Sequence, residues 1–389
     1  MIHTIVRAIE VVAVFGCFSS SIYYLLCGWS AAIFLREGKA SVGVSSTEGL
    51  PPVSILKPLK GTDPEIYQSF RSHCLQNYPE YEIIFGVHDA NDPAIASVQR
   101  LQREFPDRRI QLIVCPQILG ANVKVSNLAQ MLAVARYDHL LVNDSDIRVS
   151  PDYLARVMAP LCNPQVGLVT CLYRGIATSK MGSRLEALGI STDFCAGVLA
   201  ARVLEGIHFG LGSTLAFRRA DLEKIGGFIA FVDHLADDYE LGKRISDLGL
   251  AVRLSDVVVE TFLPAYSLHD FIAHQLRWAR GVRDSRLGGY LGLVFTFGLM
   301  WALLVLLSSW GAPWAWVLLA GILLLRLAEA VTVGRIALRD RLVLKCGWLI
   351  PLRDLVAVAV WMASLFGDTV TWRGDRFRLK NGKLVRLSQ

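Results

Sequence analysis

Apolar residues in this chain gather at its two ends, and that segregation limits the folds open to it. One apolar run covers roughly residues 8–35, and others fall roughly at 291–310, 313–333 and 342–366. Each is near or above the ~18–20 residues that carry a helix across a bilayer. The 389 residues are 53% hydrophobic and only 19% charged, with a mean hydropathy of +0.41, too apolar for an ordinary soluble domain. Between the runs, residues 37–285 read as a soluble α/β region long enough for one sizeable core.

The first run is long, is preceded only by His3 and Arg7, and lacks a small-residue cleavage pattern before Arg36, so it reads as a retained anchor. Arg36 and Lys39 flank its end, and the positive-inside rule then puts the large domain in the cytoplasm. Eight scattered cysteines without C-x-x-C spacing agree with a reducing compartment. The net charge of +6 comes largely from Arg277, Arg280, Arg283 and Arg286, from Arg335, Arg339 and Arg341, and from Arg373 to Arg386. All lie beside or between apolar runs, where cations meet anionic headgroups. No basic stripe interleaved with aromatics crosses the central region, which argues against a nucleic-acid partner.

From Pro51 onward, strand and helix patterns alternate. VSILK from Val53, YEIIFGV from Tyr81, Ile110 to Cys115 and HLLVN read as strands. KGTDPEIYQSFRSHC, DPAIASVQRLQREF and NVKVSNLAQMLAVAR read as helices, the first with Asp63 as its N-cap. The alternation predicts an α/β fold with a mostly parallel sheet, helices on both faces and right-handed crossovers. The second half mixes strands (VGLVTC, STLAFRR, VVVET) with helices, and Phe194 to Gly212 is apolar and Gly-rich enough for either core or a face dipping into a bilayer.

Ligands in such sheets bind beyond the carboxyl ends of the strands. Asp89 and Asp92 in GVHDANDP and Asp144 and Asp146 in NDSDI fall at those ends. Two carboxylates flanking Ser145 can turn toward Mg²⁺ or Mn²⁺, cations that favour a few carboxylates plus substrate phosphate oxygens. Asp237 and Asp238 open an amphipathic helix, and Asp238 suits a general base that takes the proton of an acceptor hydroxyl. One late acidic cluster, rather than a glycosidase-type flanking pair, favours a single displacement with inversion. Asp89 or Asp92 can hydrogen-bond a nucleotide base, and Lys57, Lys60 and Lys124 lie where they can meet base or phosphate. Each cluster alone is also ordinary turn or helix-cap chemistry. Their order, followed by Arg277-Trp278 in HQLRW and an apolar tail, points to a metal-dependent sugar transferase acting on a lipid.

The ordered set VSILKPLKG, GVHDANDPAI, GANVKVSNL, NDSDIRVSPDYL, GLVTCLYRG, SRLEALGIST, DHLADDYELG and HQLRWAR resembles the ceramide glucosyltransferase family, lipid-directed enzymes with the GT-A fold. The resemblance runs from Pro51 to Arg286, and WRGDRF near Trp372 extends it. It implies a GT-A sheet with N- and C-terminal transmembrane helices, nucleotide binding at Asp92 with Asp89 nearby, metal and diphosphate contact at Asp144 and Asp146, and a base at Asp238. Arg277 and Trp278 match the last two positions of the family's Q/R-x-x-R-W signature, which closes over the diphosphate and the acceptor entrance. His274 stands at its first position, keeping a hydrogen-bond donor and losing a guanidinium. In the Arg277-Trp278 pair the arginine can neutralise departing diphosphate and the tryptophan can pack on acceptor or sugar.

The activity implied is transfer of a hexose from a UDP-sugar to a membrane lipid hydroxyl, glucose to ceramide being the family default. Bacterial hopanoid N-acetylglucosaminyl transferases resemble the chain almost as well. A processive polysaccharide synthase fits less, because few apolar runs follow the catalytic region and the signature is altered. A silent scaffold or lipid carrier has no use for converging carboxylates. The expected organisation is a membrane anchor at 1–36, a cytoplasmic GT-A domain at 37–289, membrane segments at 290–370 and a basic tail at 371–389, in a bacterial inner membrane. Arg353 and Asp354 interrupt the last apolar run, and charges at membrane depth are costly and usually paired. That run therefore reads as a hairpin or interfacial helix.

Overall fold

The computed structural model describes residues 2–41, 49–372 and 375–387. Arg373 and Gly374 of the WRGDRF motif, and the side chain of Lys39, lie outside the described residues. The chain divides into two compact units. Residues 37–176, 206–264 and 382–389 form one, and residues 1–36, 177–205 and 265–381 the other.

The first unit is built on an eight-stranded sheet. Its strands are β1 (Val53–Leu59), β2 (Tyr81–Val87), β3 (Ile110–Val114), β4 (His139–Val142), β5 (Ile147–Arg148), β6 (Val166–Ile176), β7 (Leu215–Arg218) and β8 (Ala251–Phe262), in the order β3-β2-β1-β4-β7-β6-β8-β5. β1 pairs in parallel with β2 and β4, β2 with β3, and β6 with β8. β7 runs antiparallel to both β4 and β6, and β5 antiparallel to β8. The parallel sheet expected from the first half is therefore present, and it becomes mixed where β7 enters. Apolar runs state burial, not strand direction, so the sequence carried no sign of this turn.

β1 and β2 are buried at every position, the pattern of strands covered on both faces. Ile55, Ile83 and Phe85 pack with Phe70, Val98, Tyr153 and Val157 from the helices Ile66–Cys74, Ala94–Glu104 and Tyr153–Met158. The helix Val123–Leu132, with Val125, Leu128 and Met131 buried, also packs on β1 and β2. Asp63 does not cap the helix after β1. That helix starts at Ile66 behind Glu65 in a left-handed conformation, and the Asp63 carboxylate instead accepts the Ser145 hydroxyl. At the end of the chain, Leu384 N–H donates to Asp233 O (2.7 Å) and Leu235 N–H to Gly382 O (3.1 Å), so the basic tail closes against the loop before Asp237.

The other unit is helical. Among the described residues, His3–Gly38, Met181–Leu204 and Pro313–Ala337 are long and apolar enough to cross a membrane. Leu287–Thr296 and Gly298–Ser308 meet the same test only together, bent by 53°. Ala13, Cys17 and Tyr24 pack with Leu299, Ala302, Val305, Ala315, Leu319 and Ile322. The run at 342–366 is broken by the turn Gly347–Leu349, leaving the 15-residue helix Ile350–Ser364. At 1.5 Å per residue, that helix falls short of a bilayer core ~30 Å thick. Met181–Leu204 was not legible as a helix of this unit; it carries a π-helical turn at Ile190–Phe194 and takes in the front of the apolar, Gly-rich stretch. The charges in the last run are paired: Asp354 with Arg326 at 2.9 Å, and Arg353 with Asp193 at 3.4 Å.

Candidate active site

β2, β1 and β4 are parallel neighbours, so their carboxyl ends lie on one edge of the sheet. Asp89 and Asp92 leave β2 there, Gly61 to Asp63 leave β1, and Asp144 to Asp146 leave β4. The β1 loop ties the outer two together. Gly61 N–H donates to the Asp92 carboxylate at 2.9 and 3.1 Å, while Asp63 holds Ser145. Asp92 also accepts from Ala94 N–H (2.9 Å), so its carboxylate organises the turn it starts. Asp89 is exposed and accepts from Asn91 N–H at 2.9 Å.

Lys57 lies beneath this edge rather than on it. Fully buried, it donates through Nζ to Asn143 Oδ1 (2.7 Å) and the Asp144 carbonyl (2.9 Å). Direct contact with base or phosphate, as expected from sequence, gives way to support of the Asp144 turn. Burial lowers its pKa to about 7, partly offset by Asp146, Asp144 and Asp63. His73, held well below its usual range by burial and then by Lys57, accepts Asn143 Nδ2–H at 2.8 Å. Asn143 and His73 were not singled out from sequence; a buried Lys under an acidic turn needs such neutral partners, but only the tertiary contacts name them.

Lys124 joins two of the acidic clusters. Its ammonium lies 2.9 Å from Asp144 Oδ1 and 3.0 Å from Asp237 Oδ2. Burial works against that charge, but Asp144, Asp237 and Asp238 outweigh it and hold the ammonium well above the usual lysine range. Asn122 sets the geometry. It caps the Lys124 helix by accepting Val125 N–H (3.2 Å), and its amide donates to His234 O (2.8 Å) and Asp237 Oδ1 (3.4 Å). Lys124→Met is expected to leave the nearly buried Asp237 without its counter-charge, destabilising the protein by about 3 kcal/mol, the scale for breaking a buried pair. A drop in melting temperature of the purified variant checks this; an unchanged melt would mean the pair contributes little.

Asp238 sits at the start of the helix Asp237–Asp247, which packs backbone to backbone on the preceding loop: a Cβ on Gly242 would lie 2.1 Å from Gly210 N. This close approach brings Asp238 Oδ2 to 2.7 Å from Gly212 N, which donates to it, while Tyr239 N–H donates to Oδ1 at 2.9 Å. Burial, then the Asp237 charge, raises the Asp238 pKa to about 6. A Cβ on Gly212 would meet Asp144 Oδ2 at 3.1 Å and Asp238 Oδ2 at 3.2 Å, so both carboxylates flank the same point. Gly212→Ala is expected to slow transfer by about tenfold or more by putting a methyl between them, with a stability change under ~1 kcal/mol. Unaltered kinetics would show that this point is not used.

Asp146 accepts the Thr261 hydroxyl, and burial with Asp144 beside it raises its pKa to about 7. Two mutually repelling carboxylates at a strand end fit a hard cation completed by phosphate oxygens. Among the described residues no group of three or more His, Cys, Asp or Glu side chains forms a protein cage for a metal.

Arg277, Trp278 and His274 belong to the helical unit, on the helix Leu268–Ser285. His274 Nδ1 lies 3.2 Å from the buried Glu186 Oε1, its ring 5.4 Å from Tyr266 and 5.2 Å from Trp278; Trp278 also meets Phe194 at 5.8 Å.

A mixed α/β sheet with acidic clusters at its carboxyl edge is the GT-A arrangement, and the chain is a glycosyltransferase. It belongs to glycosyl transferase family 21, whose family model matches residues 12–385. Ceramide glucosyltransferase 1 of Caenorhabditis elegans is 23% identical over 98% of this chain and 82% of its own length. Ceramide glucosyltransferase of Komagataella phaffii is 36% identical over 27% of this chain and 21% of its own length. The mannosyltransferase PcManGT from Pyrobaculum calidifontis, solved with GDP-Man and Mn²⁺, is similar in fold with a TM-score of 0.55, at 19% identity over 93% of this chain and 99% of that one.

Proposed function

We propose that the chain transfers glucose from UDP-glucose to the hydroxyl of ceramide by a single inverting displacement. The observation that carries this reading is the pair of carboxylates, Asp144 and Asp238, facing one point above Gly212. Asp238, oriented by two backbone N–H groups, accepts the proton of the acceptor hydroxyl as its oxygen attacks the anomeric carbon and UDP leaves from the opposite face. Asp144 and Asp146 would hold Mg²⁺ or Mn²⁺ with the diphosphate. The cation supplies Lewis-acid neutralisation of the leaving group. Asp237 and Lys124 keep Asp144 and Asp238 in register. Asp89 and Asp92 take the nucleotide side of the site.

The protein is read as integral to the membrane, with its sheet-bearing unit on the cytoplasmic side of a bacterial inner membrane. The tail at Leu384 bonds to Asp233 of the same unit, which supports an even number of crossings between Pro264 and the tail.

Purified protein in nanodiscs is incubated with UDP-glucose and ceramide, and the lipids are analysed by mass spectrometry. Glucosylceramide with β-linkage is expected. Product only with UDP-N-acetylglucosamine and a hopanoid polyol, or α-linked product, would overturn the substrate or the inversion.

A further inference from the structure

What the turn Leu211–Thr214 delivers to Asp238 is a backbone group, the Gly212 N–H, donating to Oδ2 at 2.7 Å. A glycine has no side chain by which to be held, so the rest of the turn sets the place of that N–H. The turn is closed by Thr214 N–H donating to Leu211 O (3.0 Å) and runs into β7, whose antiparallel pairing with β6 sets Thr170 opposite Leu215. From there the buried Thr170 hydroxyl reaches both ends of the turn, accepting Leu211 N–H (2.9 Å) and donating to Thr214 O (2.8 Å). The Ser213 hydroxyl donates to Cys171 O (2.9 Å), a further tie to β6. A second hydroxyl joins the turn to the opposite side of the site. Thr214 Oγ1 gives its proton to Ser213 O (2.7 Å) and so accepts from the Tyr153 hydroxyl at 2.9 Å. Tyr153 in turn accepts from Nδ2 of Asn143, the residue before Asp144, at 3.4 Å.

We propose that Thr170 and Tyr153 are positioning residues for transfer, holding the Leu211–Thr214 turn so that the Asp238 carboxylate keeps a fixed place opposite Asp144; the proposal rests on the base role given to Asp238 above. Of the two N–H groups that orient this carboxylate, that of Tyr239 belongs to the neighbouring residue of the same helix and moves with it. The Gly212 N–H comes from outside that helix, so it fixes Asp238 against the sheet. Hydroxyls buried in a sheet are ordinarily fold-holding groups. These two differ in that their bonds end on the segment carrying the Gly212 N–H, and that Tyr153 also reaches the residue before Asp144. Thr170, Tyr153 and Thr214 are fully buried, so bulk water does not compete for these bonds, and a satisfied network of this kind is rigid. Proton transfer depends on such placement: a displacement of about 1 Å costs on the order of 10²-fold in rate.

The test compares variants of the full-length protein in nanodiscs supplied with UDP-glucose and ceramide. Thr170→Val, close in size but without the hydroxyl, is expected to lower kcat by about tenfold or more, with the UDP-glucose KM unmoved, and Thr170→Ser to restore turnover. Tyr153→Phe leaves Asn143 bonded to His73 and Thr214 to Ser213 O, and is expected to lower kcat about fivefold, the scale of one neutral hydrogen bond. The decisive readout is non-additivity. On an Asp238→Asn background either substitution is expected to change turnover by less than about twofold, because misplacing a group that no longer takes the proton costs nothing further. A folded Thr170→Val protein with normal kcat overturns the proposal, as does a loss that repeats in full on the Asp238→Asn background. Should Thr170→Val not fold, Tyr153→Phe and its double variant decide on the same criteria. Amide exchange of the Leu211–Thr214 segment, measured without substrate, is expected to quicken about tenfold in Thr170→Val; unchanged exchange overturns the hold on the turn even if ceramide proves not to be the acceptor. Loss of turnover in Asp238→Asn with normal rates in Thr170→Val and Tyr153→Phe ends the positioning role and leaves the transfer reading standing. Normal turnover in Asp238→Asn ends the base reading, and the positioning role with it.

Discussion

Asp238→Asn is expected to preserve the fold and donor binding while lowering turnover by about 10²-fold or more, the scale of losing a positioned general base. The amide is nearly isosteric and its oxygen still accepts one of the two N–H groups, from Gly212 or Tyr239, that now orient the carboxylate. What it loses is the ability to take a proton. The pH profile provides an independent readout. Burial and the neighbouring Asp237 raise the Asp238 pKa to about 6, and a base works only when ionised. In the free enzyme kcat/KM is therefore full above that pH and falls as pH drops through it; Asp238→Asn removes this acid limb. Asp237→Asn is expected to be milder in turnover, because Asp237 anchors Lys124 rather than facing Gly212. The opposite ranking would move the base to Asp237. Normal rates in both variants would end the single-displacement mechanism.

Asp144→Ala is expected to abolish transfer, with loss of at least about 10³-fold, because one side chain serves several partners at once. Its carboxylate holds Lys124, faces the Asp238 carboxylate across Gly212, and is one of two oxygen-donor groups suited to a divalent cation. Removing it leaves Lys124 tied to Asp237 alone and leaves a bound diphosphate short of compensating charge. Asp146→Ala is expected to follow the same direction, since its carboxyl shares that strand end with Asp144. Isothermal titration with UDP in Mg²⁺ or Mn²⁺ should show weakened binding in both variants. EDTA-treated wild type should lose transfer and recover it on adding either cation. Full activity after chelation would remove the metal from this pair.

Much of the site was legible because acids placed where apolar strand runs stop are local features of the chain. Asp89, Asp92, Asp144 and Asp146 follow β2 and β4, which read as short apolar runs bounded by turn residues. Parallel pairing of β1 with both strands then brings their ends to one edge. The role of Asn122 was half legible: Asn before a helical pattern is a cap signal, but its second bond, to the segment preceding Asp237, spans more than a hundred residues and leaves no local trace. Lys57 read as a strand-end ligand because a lysine near a strand end normally seeks solvent. Only the sheet's burial on both faces turned it inward to Asn143.

By itself the sequence determined the apolar ends, the alternating strands and helices, and the order of the acidic clusters, since each depends on residue type and near-neighbour spacing. Tertiary structure decided the antiparallel entry of β7, the Lys124 bridge, the placing of Asp238 by backbone contact at Gly242, and the Arg326–Asp193–Arg353 cluster. These depend on groups far apart in the chain, whose pairing is set by packing and by charge neutralisation once the backbone has closed.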